Sequence, residues 1–519
     1  MSILTLFKIA MHHRRYMIRL RFLCPAAGLM LALAASACAG QGLPMAPEPA
    51  MEWGALRPAV LPLTWQTAPA PQPAAADSEA QSDGAEASTM FPHTDKGRYL
   101  ILGQANIIFQ AHARFHADYT GRNSMLPRGE YKTSMVGTLF LGYQLNARPR
   151  YATDLIYDEE SAGGRGISEA LGLAGFTNLD VVRNPNLGST PYLARVEVHQ
   201  VIGFTGTLVD SARTPFSLAT KLPATRLELH VGKLGIPDFF DLNSVGTDSH
   251  LQFMNWTSDN NGAWDYAADT RGYTVGAVAE FISPVLSARY GYALLPTIAN
   301  GIDLEYHLNK AHAQNVEVEM DRGLLGKLVS AERKGVVRLL GYVNDANMGD
   351  YRAQNVLWVQ GKTATPDITA HPEQVTRKYG LGLNFEQEMT KALRVYGRWG
   401  WNEGQHESYA YTEVDDTYSV GADLRGDRWG RSNDKVGLTV VTNAIKRDHQ
   451  WYLGHGGLGF ILGDGRLNYA REDIVEAYYN WHAWKGVHYA LDEQLVAHPG
   501  YNQDRGPVMV ESVRMHVDF

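Results

Sequence analysis

Arg195, Glu197 and His199 take every second position of "RVEVHQV", and Val196 and Val198 fill the gaps. "RLELHV" repeats the pattern, with Arg226, Glu228 and His230 set against Leu227, Leu229 and Val231. "NVEVEMD" sets Glu317, Glu319 and Asp321 against Val316, Val318 and Met320. "LRVYGRWGW" sets Arg394, Tyr396 and Arg398 against Leu393, Val395, Trp399 and Trp401. A period of two puts every ionic group on one face of an extended chain. Two kinds of chemistry suit such rows. They can replace the hydration shell of a polyhydroxylated solute with a mixed-charge constriction, or they can pair across strands and hold a sheet rigid. For any one residue the spacing leaves both open; as a set, the rows favour a wet lining. "FMNWTSDNNGAWDYAAD" adds Trp256, Trp264 and Tyr266 beside Asn255 and Asp259. That stretch reads either as a platform for sugar rings or as a structural plug.

Other site chemistries lack their residues. "GGRG" (Gly163 to Gly166) has no Lys and Ser/Thr to complete a phosphate loop. No H-E-x-x-H spacing occurs, "DNNG" (Asp259 to Gly262) lacks the spacing of an EF-hand, and no nucleophile elbow is present. "DEE" (Asp158 to Glu160) offers at most a loose surface site for Ca²⁺. The reading is of a protein with no catalytic residue, no metal and no cofactor, as passive movement down a gradient requires none.

The rows need strands to carry them. From about Gly97 onward, segments of about ten residues alternate apolar and polar and are separated by Gly, Asn, Asp or Pro. "LGLNFEQ" and "YSVGADL" belong to the set. Further segments centre near Leu102, Leu139, Ile156, Val275, Arg289, Leu304, Leu339, Leu438, Leu458, Tyr478 and Tyr489. Sixteen to eighteen strands emerge. The 51 glycines and 26 tyrosines fit β-structure with tight turns. One stretch departs from period two: "GISEALGLAGF" (Gly166 to Phe176) predicts a short helix in a loop at 159–180, a loop that folds into the lumen and narrows it.

Ionic rows on one face and apolar rows on the other are satisfied in lipid only by a closed barrel, which leaves no backbone group unpaired. Aromatics at strand ends, Tyr396/Trp399/Trp401 and Trp481/Trp484/Tyr489, suit lipid interfaces. The predicted fold is all-β, a transmembrane antiparallel β-barrel of about 16 strands, wide enough for an aqueous channel. The chain ends on "ESVRMHVDF", with Phe519, Val517, Met515 and Val513 on one face and Asp518, His516, Arg514 and Ser512 on the other. A last strand with two working faces is what barrel closure onto the first strand demands.

Residues 1–39 read as a secretory signal. Lys8, Arg14, Arg15, Arg19 and Arg21 precede the apolar run "FLCPAAGLMLALAA" (Phe22 to Ala35) and the small-residue cleavage sites "ASA" and "ACA". Cys24 and Cys38, the only two cysteines, leave with it. Losing those five positive charges moves the formal net charge from -8 to -13, which argues against a nucleic-acid partner. Residues 40–96 are rich in Ala and Pro and read as a disordered periplasmic leader. The barrel domain is expected over 97–519.

Three stretches resemble the OprB family of carbohydrate-selective porins: "YATDLIYDEESAGGRGISEALGLAGFTNLD" (Tyr151 to Asp180), "GKLGIPDFFDLNSVGTDSHLQFMNWTSDNNGAWDYAADTRGYTVGAVAEF" (Gly232 to Phe281) and "HPGYNQDRGPVMVESVRMHVDF" (His498 to Phe519). The resemblance spans about 97–519. It implies a 16-stranded outer-membrane porin passing small sugars by diffusion into the periplasm. The expected partners are sugars, outer-membrane lipid and the barrel-assembly machinery, which would read the strand ending at Phe519; a homo-oligomer is compatible. The alternatives are a general or polysaccharide-export channel and a structural barrel without transport. Glu317, Glu319 and Asp321 argue against export of an acidic polysaccharide.

Overall fold

The computed structural model describes residues 89–91, 93, 97–181, 188–321 and 333–519. The signal peptide and nearly all of the leader therefore lie outside the described residues. Eighteen strands form among those described: β1 (Tyr99–His112), β2 (Glu130–Asn146), β3 (Thr153–Gly164), β4 (Tyr192–Gly203), β5 (Leu208–Asp210), β6 (Lys221–Pro223), β7 (Arg226–Leu234), β8 (Thr274–Ile282), β9 (Leu286–Leu294), β10 (His312–Met320), β11 (Gly335–Ala346), β12 (Thr376–Glu388), β13 (Leu393–Asn402), β14 (Asp416–Gly426), β15 (Arg431–Ala444), β16 (Glu472–Trp484), β17 (Val487–Ala497) and β18 (Val508–Asp518). Sixteen of them close into one antiparallel barrel; β5 and β6 make a separate hairpin in the connection 204–225.

Closure runs through the last strand. β1 pairs β18 from Gln104↔Asp518 to His112↔Val510. Phe519 adds two backbone hydrogen bonds, its N–H donating to Gly103 O at 2.8 Å and its carbonyl accepting from Gly103 N at 2.7 Å. The Phe519 ring lies where a Cβ on residue 103 would stand, so the missing side chain of Gly103 gives the ring its room.

The two faces separate as the alternation dictates. Val198, Val231, Val316, Met320, Leu381, Tyr418 and Val420 are exposed outward, and Glu197, His230, Glu317 and Ser419 are buried inward. A continuous exposed apolar band suits hydrocarbon. Trp481, Trp484 and Tyr489 stand exposed on that outer face. Tyr396 does not join them. It shares the inward parity of Arg394 and Arg398, is fully buried, and hydrogen-bonds Thr439 Oγ1 at 2.7 Å.

Because strands alternate in direction, connections alternate between two ends. At one end they are long: 113–129, 165–191, 235–273, 295–311, 347–375, 403–415, 445–471 and 498–507. At the other most are short, down to the two-residue turn 485–486. Two expected strand segments fall in long connections instead. Leu304 makes only an isolated bridge to Pro296, and Leu458 sits among Gly456, Gly457 and Gly459 with its N–H on Tyr452 Oη at 3.1 Å. The helices Tyr351–Val359 and Arg447–Gly454 also belong to these connections.

The helix expected at 166–176 is replaced by a single tight turn, Ile167–Ala170. Ser168, Glu169 and Ala170 take left-handed φ values of 50°, 58° and 60°, a conformation costly for L-residues. Glu130 holds it open: its Oε1 accepts from Ser168 N at 2.7 Å and Ser168 Oγ at 2.6 Å. A stretch this short gains too little from helix propagation to resist such fixed partners.

Candidate functional site

Antiparallel register decides which inward charges meet. His199 Nε2 lies 2.7 Å from Glu228 Oε2, and His199 Nδ1 lies 3.3 Å from Asp154 Oδ2. Arg226 Nε donates to the other oxygen of Glu228. His230 stands between Glu197, at 3.4 Å, and Glu280, at 3.7 Å. Arg289 donates to Glu280 at 2.6 Å and to Glu317 and Glu319 at 2.9 Å each. Arg338 donates to Glu319 at 2.8 Å and to Glu386 at 2.9 Å. The result is an unbroken belt of acidic and basic side chains from β3 through β4 and β7 to β12. Arg195 pairs with Asp158 and Asp238, Arg394 with Asp423, and Arg398 with Asp241. In a low-dielectric wall, pairing of this kind is what makes charge tolerable.

The belt also holds a loop. The connection 235–273 folds inward and brings a second, apolar core with it. Phe239, Phe240, Trp256, Trp264 and Tyr266 are buried there. Its backbone hangs from wall side chains. Glu317 Oε2 accepts from Asp241 N at 2.8 Å, Arg398 Nη1 donates to Ser258 O at 2.8 Å, and Arg514 Nη1 donates to Ser249 O at 2.7 Å and Gln252 O at 2.9 Å. Asn384 Nδ2 donates to Asp241 Oδ1 at 2.9 Å. Buried backbone groups outside regular structure need partners, and here charged wall residues supply them.

Residues 165–181 of the preceding long connection enter the same space. Glu472 accepts from Ala174 N at 3.1 Å and Gly175 N at 2.7 Å. Gln110 Nε2 donates to Thr177 O at 3.0 Å. The two inward loops touch through Trp256, whose Nε1 donates to Asn178 O at 2.9 Å while its ring meets Phe176 edge-on at 5.7 Å.

Each residue singled out by its spacing can now be placed. Arg195, Glu197, His199, Arg226, Glu228, His230, Glu317, Glu319 and Arg398 all face inward and are buried in the belt or its anchors. Arg394 is part-exposed, with 13% of its side chain open. Trp256 and Trp264 are 6% and 1% exposed; Trp264 Nε1 donates to Asn315 Oδ1 at 2.9 Å, and Phe240 and Tyr266 pack against its ring. The polar groups left partly open are different ones: Ser244, Thr247, Asp248, Ser249 and His250 on the inward loop, with Gln104 and Lys435 on the wall. His250 Nε2 is 3.2 Å from Asp180 Oδ1, and its Nδ1 is 3.2 Å from Gln104 Oε1.

Arg289, Arg338, Glu386 and Asp423 lie at inward period-two positions, so counting outward from each segment's centre would have found them. No periodicity could have found Asp241, Asp248 or His250, which are irregular backbone carried inward by their anchors.

A family model described as "Carbohydrate-selective porin, OprB family" matches residues 158–519. No curated protein sequence matches the chain. Among solved structures, the high-pH structure of Pseudomonas putida OprB is similar with a TM-score of 0.58 and 15% identity, over 81% of this chain and 94% of that one. The outer membrane channel DcaP of Acinetobacter baumannii gives a TM-score of 0.44 at 7% identity, over 81% and 97% respectively. The first of these likenesses supports the barrel fold.

Proposed function

The chain belongs to the OprB family of carbohydrate-selective porins, and from that premise we propose how this member forms its path. It is an outer-membrane channel that lets carbohydrates pass passively. The path runs along the partly open polar edge made jointly by Ser244, Thr247, Asp248 and His250 of the inward loop and Gln104, Arg394 and Lys435 of the wall, where His250 meets Gln104 at 3.2 Å and Arg394 donates to Ser244 Oγ at 3.1 Å. These side chains donate and accept, as a sugar hydroxyl does, and can exchange its water contacts for protein ones. The buried rows act one step back. Arg398, Glu317 and Arg514 fix the loop so that its polar edge stays in place.

The observation that carries this reading is the partial exposure of Ser244 to His250 on a loop whose anchors are buried charges. No step of such passage breaks a covalent bond, so we assign the protein no enzymatic role. The signal peptide delivers it to the outer membrane, lipid meets the exposed apolar band, and the assembly machinery reads the strand ending at Phe519.

Liposome swelling with a graded series of sugars tests the reading. Swelling rates should depend on sugar identity at matched size. Dependence on size alone would make this a general pore, and no swelling would make it a structural barrel.

A further inference from the structure

His482, His488 and His516 stand in one rung of the barrel. His482 is the registered partner of His488 across β16 and β17, and His488 is that of His516 across β17 and β18. All three point inward, because Trp481 and Tyr489 beside the first two, and Val513 at the opposite parity of β18 from His516, carry the outer face. Directly opposed residues hold their Cβ atoms about 4.5–5.5 Å apart, so the imidazoles meet. Ring centroids are 4.8 Å apart for His482 and His488 and 6.4 Å for His488 and His516, with interplanar angles of 51° and 52°. Two imidazoles on one tetrahedral ion, with metal–nitrogen bonds of about 2.0–2.1 Å, would hold their centroids roughly 5 Å apart. The first gap already matches that; the second closes to it only when the His488 and His516 side chains turn toward one another.

The protons are also arranged for a cation. His516 Nε2 lies 3.1 Å from Asp518 Oδ1. The carboxylate only accepts, so Nε2 keeps its proton and donates it in the hydrogen bond, which leaves Nδ1 with its lone pair. That Nδ1 is buried and has no hydrogen-bond partner. A carboxylate on the far nitrogen is how ligating histidines are commonly oriented. His482 Nε2 faces the Lys485 carbonyl, which fixes its proton in the same sense; its Nδ1 accepts one long hydrogen bond, from Asn433 Nδ2 at 3.4 Å, which a bound ion would displace. His488 Nδ1 is likewise buried and unpartnered. Unsatisfied buried nitrogens are costly, and one bound cation would account for both. The rung lies beside the short turn 485–486, and His482 and His488 are partly open, so an ion can reach it.

A tighter group exists: His199, Glu228 and His230 have ligating atoms within 4.8 Å of one another. Its nitrogens are already engaged, since Asp154 and Glu228 hold both of His199's. Its rings also stack at 8°, which makes their in-plane lone pairs run parallel instead of converging.

We propose that His482, His488 and His516 bind one divalent transition-metal ion of the Zn²⁺, Cu²⁺ or Ni²⁺ class at the short-turn mouth of the barrel. Imidazole donors suit these ions. The test uses the full chain purified in detergent without an affinity tag and titrated with Cu²⁺, read by calorimetry and electron paramagnetic resonance. We expect one ion per chain with nitrogen hyperfine coupling, and an affinity at least about 10-fold weaker in His488→Ala. Heat-modifiable gel migration reports whether that variant folds. If it does not, His482→Ala and the wild-type spectrum decide. An oxygen-only spectrum in the wild type, or unchanged affinity in the folded variants, overturns the proposal.

Discussion

Arg398 Nε sits 3.0 Å from Asp241 Oδ2, with both side chains almost wholly buried. One belongs to the wall strand β13 and the other to the inward loop 235–273. Their contact ties the loop to the barrel at the point where Glu317 also holds the Asp241 N–H. The barrel's ionic rows are thus a frame for a loop as well as a lining.

Arg398→Ala should leave Asp241 buried without its cation, a change that costs on the order of 3–5 kcal/mol where a buried pair loses one member. The barrel should still close, because its ladder is untouched. The loop should loosen, raising single-channel conductance in planar bilayers and blunting discrimination among sugars of equal size. Unchanged conductance would mean that Arg514 and Glu317 suffice to hold it.

Deleting the segment from Ile167 to Asn178 should also raise conductance, since it removes a loop that Glu472 and Gln110 hold inside the barrel. Conductance equal to the wild type would place that loop beside the path and not across it.

Trp264→Ala removes one of the largest fully buried side chains and its bond to Asn315. A loss of about 3–5 kcal/mol is typical for a buried aromatic. It should appear as a lower midpoint in heat-induced gel mobility shifts. A purely path-lining tryptophan would alter sugar flux and leave that midpoint alone.

Removing Phe519 deletes the two backbone bonds to Gly103, each worth about 0.5–1.5 kcal/mol net. The yield of heat-modifiable barrel should fall. Molecules that do fold should conduct normally, because the residue faces outward. A normal yield would show that closure from Gln104 to His112 is enough.

His449 gives a pH prediction at the long-connection end. It lies in the helix Arg447–Gly454, 3.4 Å from Asp415 Oδ2. Burial works to lower its pKa, but the hydrogen bond to Asp415 and the charges of Asp415 and Glu413 win and raise it. A raised histidine stabilises fully below its unfolded pKa, about 6.5, and loses that contribution as pH rises through the folded value. Amide exchange in 445–471 should therefore be slowest in mildly acidic solution and quicken toward alkaline pH beyond the intrinsic rate increase. His449→Phe should abolish that alkaline limb; an unchanged profile would rule the imidazole out.

Alternation is a local property, and the sequence carries it completely. Each strand's inward and outward residues follow from parity alone, because successive side chains must point to opposite sides of a pleated chain. That is why Glu197, His230, Glu317 and Val316 lie where their spacing puts them, and why the terminal strand closes the barrel. Parity says nothing about partners. Only lateral register set Arg289 between Glu317 and Glu319, and His488 opposite His516. Irregular backbone has no period to read, so the paths of 165–181 and 235–273, and the left-handed turn at Ser168, depended on distant side chains such as Glu130, Arg398 and Arg514. Strand faces are fixed by bonds between neighbours in the chain; the width and edge of the path are fixed by contacts between residues far apart in it.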